Sequence, residues 1–148
     1  MPATLLPGQT EALPSDDAMP FELHWEPRGV LRRFSGDVTI AERRRSFDLI
    51  CGDRRFDDLR YAISDYLGVS AYEATPRATQ EIAALHIAPL RTNPAILIAA
   101  VAVAPAVVAA VRDFMSLGYI SQPYRLFETE ADARVWIAGA LNQRGADL

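Results

Sequence analysis

Three side chains near the start of the chain have residue types that could do chemistry together. Glu22, His24 and Glu26 alternate with apolar residues, so they would project from one face of a β-strand. Carboxylates and an imidazole can ligate a metal ion or form an acid/base pair, as in a small metal-dependent or hydrolytic enzyme. Same-face neighbours on a strand, however, lie about 6.5–7 Å apart, too far for three ligands to converge readily. We therefore predict the polar face of a strand and keep such an enzyme, using His24 with Glu22 and Glu26, as the alternative.

Other reactive side chains are few. All fifteen basic residues are Arg, and the absence of Lys excludes chemistry that needs an amine nucleophile. Cys51 is the only cysteine, which excludes an internal disulfide and a cysteine-rich zinc site. His86 has no second His or Cys at ligand spacing, so we expect a residue at the boundary of the core. The glycines are scattered and form no phosphate-binding loop. We predict no catalytic residue, no metal and no cofactor.

Arginines cluster around the first predicted helix. They occupy positions 32 and 33, 43 to 45, and 54 and 55. Such a cluster could meet an acidic partner or a lipid headgroup, but we expect solvated side chains, with Arg43 or Arg44 laying its stem beside Ile40 and Phe47. The net charge of −4 and the isoelectric point of about 5.1 do not favour nucleic acid as a partner.

The elements that position these residues begin with a β-hairpin. Alternation of polar and apolar residues predicts a strand over residues 21–26, a turn at 27–29 and a return strand over 30–35. Thr39 and Glu42 then have the spacing of a capping box, in which each side chain satisfies a backbone donor at the start of a helix. A first helix should therefore begin at this point.

The next segment should contain a helix, a strand and a second helix. Gly52 is placed to end the first helix in the left-handed conformation, and residues 59–65 form a strand that ends in the carboxylate of Asp65. Thr75 and Pro76 supply an N-cap and a favoured first residue for the second helix. The first helix would bury Ile40, Phe47, Ile50 and Cys51, and the second would bury Ala78, Ile82 and Leu85.

Residues 94–111 contain no polar side chain and approach the minimum length of a membrane span. Pro105 divides this run into a β-branched half and a half that begins as a helix. We therefore predict a buried parallel strand over residues 96–103 and a helix from Pro105 to about Leu117, ended by Gly118. No transmembrane segment is expected.

The final elements complete an alternating pattern. A short strand over residues 124–127 leads to Thr129, an N-cap candidate, and to a helix with an apolar stripe at helical spacing. That stripe consists of Ala133, Trp136, Ile137, Ala140 and Leu141. The order β-β-α-β-α-β-α-β-α predicts an α/β domain with a mixed, mostly parallel five-stranded sheet and covering helices. We expect a flexible tail over residues 1–19 and one domain over residues 20–148.

The chain resembles the SpoIIAA-like proteins. This bacterial group is related to the STAS domains of anti-sigma-factor antagonists and shares features with the lipid-binding Sec14 fold. The resemblance covers residues 21 to about 141 and is carried by element order and three strings: FELHWEPRGVLRRFSGDVT, LRYAISDYLGV and PYRLFETEADARVWI. It implies a regulatory or binding role.

The chain departs from the STAS pattern at the phosphorylated serine. The resemblance leads us to look for a strand that ends in Asp-Ser-x-Gly, whereas this chain reads Asp65-Tyr-Leu-Gly-Val-Ser70. Asp65 matches only by position, and Ser70 is displaced from it. Ser70 and Thr75 are weak candidates for modification or anion contact, beside their ordinary roles as a turn residue and an N-cap. Asp65 would either line a ligand crevice beyond the strand ends or organise the following loop.

The sequence thus predicts a non-enzymatic binding or regulatory module. Its partner would be a protein, a small apolar or acyl ligand in the sheet-end crevice, or both. No signal peptide is recognisable, and the single cysteine fits a reducing compartment, so we expect a cytoplasmic protein. Homo-oligomerisation through an apolar helix surface is compatible with the pattern.

Overall fold

The structure, a computed structural model, describes residues 20–146. It contains five strands, four α-helices and one short 3-10 helix, Arg54–Asp58. The strands are β1 (Phe21–Glu26), β2 (Gly29–Val38), β3 (Tyr61–Tyr72), β4 (Leu97–Val101) and β5 (Tyr124–Phe127). The helices are α1 (Ile40–Cys51), α2 (Pro76–Arg91), α3 (Pro105–Ser116) and α4 (Glu130–Ala146). The predicted tail, residues 1–19, lies outside the described residues.

The strands form one sheet in the order β1-β2-β3-β4-β5. β1 pairs antiparallel with β2, and the remaining neighbours pair in parallel. The predicted hairpin and the mixed, mostly parallel sheet are therefore confirmed. The register of β2 and β3 places Arg32 beside Ser64 and Arg33 beside Asp65.

The helices form two unequal layers. β2, β3, β4 and β5 follow one another in a single direction across the sheet, so right-handed crossovers place α1, α2 and α3 on the same face. We call this side the three-helix face. The last helix, α4, packs on the opposite side, the α4 face, where Ala133 and Ile137 contact Ile63, Leu97 and Ala99.

The apolar run over residues 94–111 has the predicted division. Its first half contains β4, whose Ala99, Ala100 and Val101 have no exposed surface, and its second half starts α3 at Pro105. Gly118, after the end of α3, has a φ of 69°, the left-handed conformation expected there. No helix within residues 20–146 combines the length and apolarity needed to cross a bilayer.

Two local predictions were wrong. β3 continues to Tyr72, so Asp65 lies inside the strand and not at its end. Two register shifts against β2 accompany this extension, and a Cβ on Gly68 would lie 3.2 Å from the carbonyl oxygen of Phe34, so a glycine allows the strands to approach. Gly52 caps α1 in the right-handed region, with φ −82°, and not in the left-handed one. The capping box of Thr39 and Glu42 is confirmed.

Candidate functional site

Arg32 enters the core from the middle of β2. Val30, Arg32 and Phe34 occupy alternate positions, so all three point toward the three-helix face. The guanidinium of Arg32 donates from Nη2 to the Ser64 hydroxyl at 2.9 Å and from Nη1 to the Ser46 hydroxyl at 2.9 Å. Its carbon atom Cζ lies 4.9 Å from the centre of the Phe34 ring. Its partners are therefore neutral hydroxyls and a ring.

Arg43 reaches the same region from α1. It is 6% exposed, and its Nη1 donates to the backbone carbonyl of Glu73 at 2.9 Å. The guanidinium carbon lies 4.5 Å from the centre of the Tyr72 ring. The expectation that the arginines around this helix are solvated was wrong for Arg43, because Arg43 lies on the same stripe of α1 as Phe47 and Ile50.

Three tyrosines, Tyr66, Tyr72 and Tyr124, lie near these two arginines. Tyr66 stacks on Phe34 with the ring centres 5.1 Å apart, and Tyr72 meets Tyr66 edge to face. Burial raises the pKa of Tyr72 and of Tyr124, and the neighbouring Tyr66 raises both further. These phenols therefore stay protonated at neutral pH and are available as hydrogen-bond donors. Tyr124 lies beside Phe114, with the ring centres 5.7 Å apart.

His86, on α2, is enclosed between aromatic rings. Its ring stacks on Phe47 with centres 3.7 Å apart and meets Phe114 edge to face. Nδ1 lies 2.8 Å from the carbonyl oxygen of Ile82, so in the neutral ring Nδ1 donates and Nε2 keeps its lone pair. Burial lowers the pKa of His86 to about 3; the Ile82 carbonyl opposes the shift, and the cations Arg32 and Arg43 add to it. The imidazole is therefore neutral at physiological pH.

These side chains surround a partly enclosed cavity between the sheet and the helices. The cavity has a volume of about 30 Å³, and Phe114 and Val111 of α3 close it. Its polar wall consists of Arg32, Arg43, Tyr66, Tyr72, His86 and Tyr124. Within the described residues, no carboxylate pairs with either guanidinium. We call this the cationic cavity, and its chemistry suits an anion.

A second space adjoins the cationic cavity. It measures about 40 Å³, and Arg32 and His86 line both spaces. Its other walls are mostly apolar and come from β2, β3, α1, the 3-10 helix, α2 and β4. They include Val30, Phe47, Ile50, Phe56, Leu90 and Ile98.

The α4 face carries a charge network of the opposite kind. Arg33 donates to Asp65 at 3.2 Å and to Glu130 at 2.9 Å. Arg134 donates to Glu130 at 2.8 Å and to Glu26 at 2.7 Å, and the hydroxyl of Tyr61 also donates to Glu26. The hydrogen bonds from Arg134 lower the pKa of Glu26 and of Glu130. Each charge here has a partner of opposite sign, which suits a structural role.

The predicted site residues lie apart from the cationic cavity. Asp65 is 6% exposed on the α4 face, where it accepts a hydrogen bond from the backbone N–H of Leu67 at 2.9 Å. Ser70 is exposed within β3. Thr75 is the N-cap of α2, and its hydroxyl accepts from the N–H of Ala78 at 3.1 Å. The structure does not bring these three side chains together.

Of the three residues of the enzyme alternative, two are in contact and the third turns away. His24 Nε2 lies 2.9 Å from a Glu22 carboxylate oxygen, and both side chains are exposed. Glu26 is turned toward Arg134 and Tyr61. No three His, Cys, Asp or Glu side chains in residues 20–146 are grouped so that they could hold a metal ion. Burial raises the pKa of the Cys51 thiol to about 12, so at neutral pH the thiolate is scarce.

Two arginines in apolar positions of the sequence pattern indicate the cationic cavity. Arg32 occupies an inward position between Val30 and Phe34 in the period-two pattern of β2. Arg43 occupies a core position of the stripe that also contains Phe47, four residues later. A charged residue at a position where the pattern calls for an apolar one indicates a buried charge. The tertiary contacts with Ser64 and the tyrosines could not be read from local spacing.

Comparison with known proteins identifies the fold. No protein-family model and no curated protein sequence matches the chain. Among solved structures, the anti-sigma factor antagonist SpoIIAA in its unphosphorylated form is similar with a TM-score of 0.54 at 14% identity, covering 80% of this chain and 98% of that protein. An uncharacterised DUF3478-family protein with a SpoIIAA-like fold from Shewanella loihica PV-4 has a TM-score of 0.51 at 12% identity, covering 79% and 91%. The chain therefore has a SpoIIAA-like fold.

Proposed function

We propose that this SpoIIAA-like domain is a non-enzymatic binding module that holds a small anion in the cationic cavity. The observation that carries the proposal is the pair Arg32 and Arg43, two guanidinium groups in one partly enclosed cavity without a carboxylate partner among the described residues. The proposal moves the ligand from the predicted crevice at the strand ends to the space between the sheet and the helices. Recruitment of a protein partner stays a prediction from the resemblance.

Electrostatics supports an anion. A charge that leaves water costs free energy unless an opposite charge or strong hydrogen bonds replace its hydration, and an enclosed site screens less than solvent does. Among the described residues, Arg32 contacts two hydroxyls and the Phe34 ring, and Arg43 contacts a carbonyl and the Tyr72 ring. Each guanidinium has five N–H donors in a fixed fork, so both keep donors available for an anion. Charge-assisted hydrogen bonds contribute about 1.5–3 kcal/mol each, enough for millimolar to micromolar affinity.

Binding is favoured over turnover because the pKa values of His86, Tyr72 and Tyr124, which line the cavity, do not suit a general base at neutral pH. His86 has a pKa of about 3, and the tyrosines Tyr72 and Tyr124 have raised pKa values. General acid–base catalysis works best when the catalytic pKa lies near the operating pH. Donors without a matched base can hold an anion but have little means of moving a proton at neutral pH.

Titration of the full chain with chloride, acetate, phosphate and sulfate at constant ionic strength tests the proposal. Isothermal calorimetry and amide chemical shifts should show saturable 1:1 binding of at least one anion. Arg43→Gln should weaken that binding at least tenfold, because it removes one charged donor. Arg44→Gln is the matched control: Arg44 is the next residue of α1 and is exposed.

The outcomes are distinct. Binding that is lost in Arg43→Gln and kept in Arg44→Gln supports the cationic cavity. An absence of saturable binding for all four anions overturns the proposal, and so does binding that both variants reduce equally, since it would come from general surface charge.

A further inference from the structure

We infer that the cationic cavity selects a compact monocarboxylate: a carboxylate head held by Arg32 and Arg43 on an apolar body of a few carbon atoms. This inference rests on the proposed function and narrows it to one ligand class. Phosphate, sulfate and long-chain acids are excluded by size and shape, as the following steps argue.

The head group is limited by the volume of the cavity. A water-sized group needs about 10–15 Å³ of such space, so a cavity of about 30 Å³ accepts two or three of them. A carboxylate presents two oxygen atoms. Tetrahedral phosphate and sulfate present four oxygens and would force the walls apart. The cavity therefore fits a planar carboxylate better than a tetrahedral oxyanion.

The donor arrangement also suits a carboxylate. Its two oxygens offer about four acceptor positions in one plane, which a guanidinium edge can engage through two parallel hydrogen bonds. The phenol of Tyr124 lines the same cavity, and burial raises its pKa, so it can supply a further donor. His86 is neutral and adds no positive charge that would call for a dianion.

The apolar body follows from the adjoining space. Arg32 and His86 line both spaces, so a carboxylate beside Arg32 is next to walls formed by Phe47, Ile50 and Ile98. Each methylene that is buried there should strengthen binding about fourfold. The second space, at about 40 Å³, accepts roughly three or four carbon-sized groups. Acids longer than about six carbons would have to displace a helix, so affinity should pass through a maximum.

A calorimetric series on the full chain tests this inference. The probes are acetate, butyrate, hexanoate and dodecanoate, with butanamide as the neutral match of butyrate and butylphosphonate as the tetrahedral match. We expect affinity to rise from acetate to butyrate by about fourfold per methylene and to fall at dodecanoate. Butanamide and butylphosphonate should bind at least tenfold more weakly than butyrate.

Three variants keep the test specific. Arg43→Gln should weaken every carboxylate at least tenfold, whereas Arg44→Gln should leave all affinities within twofold. Ala62→Val adds two carbon atoms to the wall of the second space, on a strand where a β-branched residue is favourable. It should abolish the gain from acetate to butyrate and leave acetate binding unchanged. Circular dichroism and thermal unfolding verify that each variant is folded.

Failure of the ligand class and failure of the proposed function give different results. If phosphate, sulfate or butylphosphonate binds in the Arg43-dependent manner and more tightly than butyrate, the monocarboxylate is wrong while anion binding stands. If affinity does not change with the chain length of the acid, the claim that the ligand has an apolar body is also overturned. If no probe of either class binds, both the inference and the proposed function are overturned.

Discussion

Arg32 and Arg33 are consecutive residues of β2, yet they lie in opposite electrostatic surroundings. Arg33 points to the α4 face, where Asp65 and Glu130 accept its hydrogen bonds at 3.2 and 2.9 Å. Arg32 points to the three-helix face, where its hydrogen bonds reach only the hydroxyls of Ser46 and Ser64. Arg33 is thus neutralised within the fold, whereas Arg32 has no carboxylate partner in the part of the chain that the structure describes.

We infer that the partners of an arginine, and not its residue type, distinguish the structural Arg33 from Arg32, which we propose binds a ligand. On the α4 face, opposite charges alternate through Glu26, Arg134 and Glu130, so the network needs nothing from outside. In the cationic cavity, the partners of Arg32 and Arg43 among residues 20–146 are hydroxyls, a carbonyl and aromatic rings, all of them neutral. If this comparison is right, substitutions on the two faces should change stability in opposite directions.

The largest effect is expected from breaking the α4 network at Asp65. Asp65→Ala removes the ion pair to Arg33 and the acceptor for the Leu67 N–H, and the carboxylate it removes is 8% exposed. We expect the free energy of unfolding to fall by about 3 kcal/mol. Urea denaturation measures it, with the exposed Glu128→Gln as control. A loss no larger than that of the control would mean that the network is not structural.

Acid titration should separate the two faces by pH. The pKa of His86 is lowered from 6.5 to about 3, chiefly by burial and further by Arg32 and Arg43. The unfolded chain therefore binds a proton that the folded chain refuses. The contribution of His86 to the free energy of unfolding is thus highest above pH 6.5, and it falls by about 2 kcal/mol as the pH is lowered to 4.5. Urea denaturation at a series of pH values should show this slope, and His86→Gln should remove it.

The α4 face should respond in a lower pH window. Hydrogen bonds from Arg134 lower the pKa of Glu26 and of Glu130 below 4.5. A depressed carboxyl pKa stabilises the fold above the unfolded value, and that stability is lost as the pH falls below 4.5. The slope below pH 4.5 should therefore persist in His86→Gln. A slope between pH 6.5 and 4.5 that is unchanged in this variant would contradict the account of His86.

The smallest effect is also the most specific to the comparison. Arg43→Met removes a buried guanidinium that lacks a carboxylate partner and keeps an apolar stem. In buffer of low anion content we expect the free energy of unfolding to rise by about 1 kcal/mol. The same substitution on the other face, Arg33→Met, should lower it because it leaves Asp65 without its cation. Chemical denaturation of both variants settles the sign, and equal signs would refute the contrast between the faces.

The parts of the fold that depend on local patterns could be predicted. The hairpin follows from alternation, α1 from the capping box of Thr39 and Glu42, and the break at Pro105 from the conformational preference of proline. The length of β3 could not, because residues beyond Asp65 pair with β2 through register shifts that no local period encodes.

The cationic cavity was missed for a different reason. We expected charged side chains to be solvated, although Arg32 and Arg43 occupy apolar positions of their strand and helix. Their burial depends on partners that are distant in sequence, such as Ser64 and Tyr124, and on the packing of α3 over them. The expected boundary position of His86 agrees with its intermediate exposure, but its stacking on Phe47, which joins two helices, could not be read from local spacing.

The most direct test of the account is anomalous diffraction from crystals of the full chain grown with bromide, an anion small enough for the cationic cavity. The account predicts an anomalous peak between the guanidinium groups of Arg32 and Arg43 that is absent in crystals of Arg43→Gln. Bromide bound only beside exposed arginines such as Arg44, with no peak inside the cationic cavity, would contradict it.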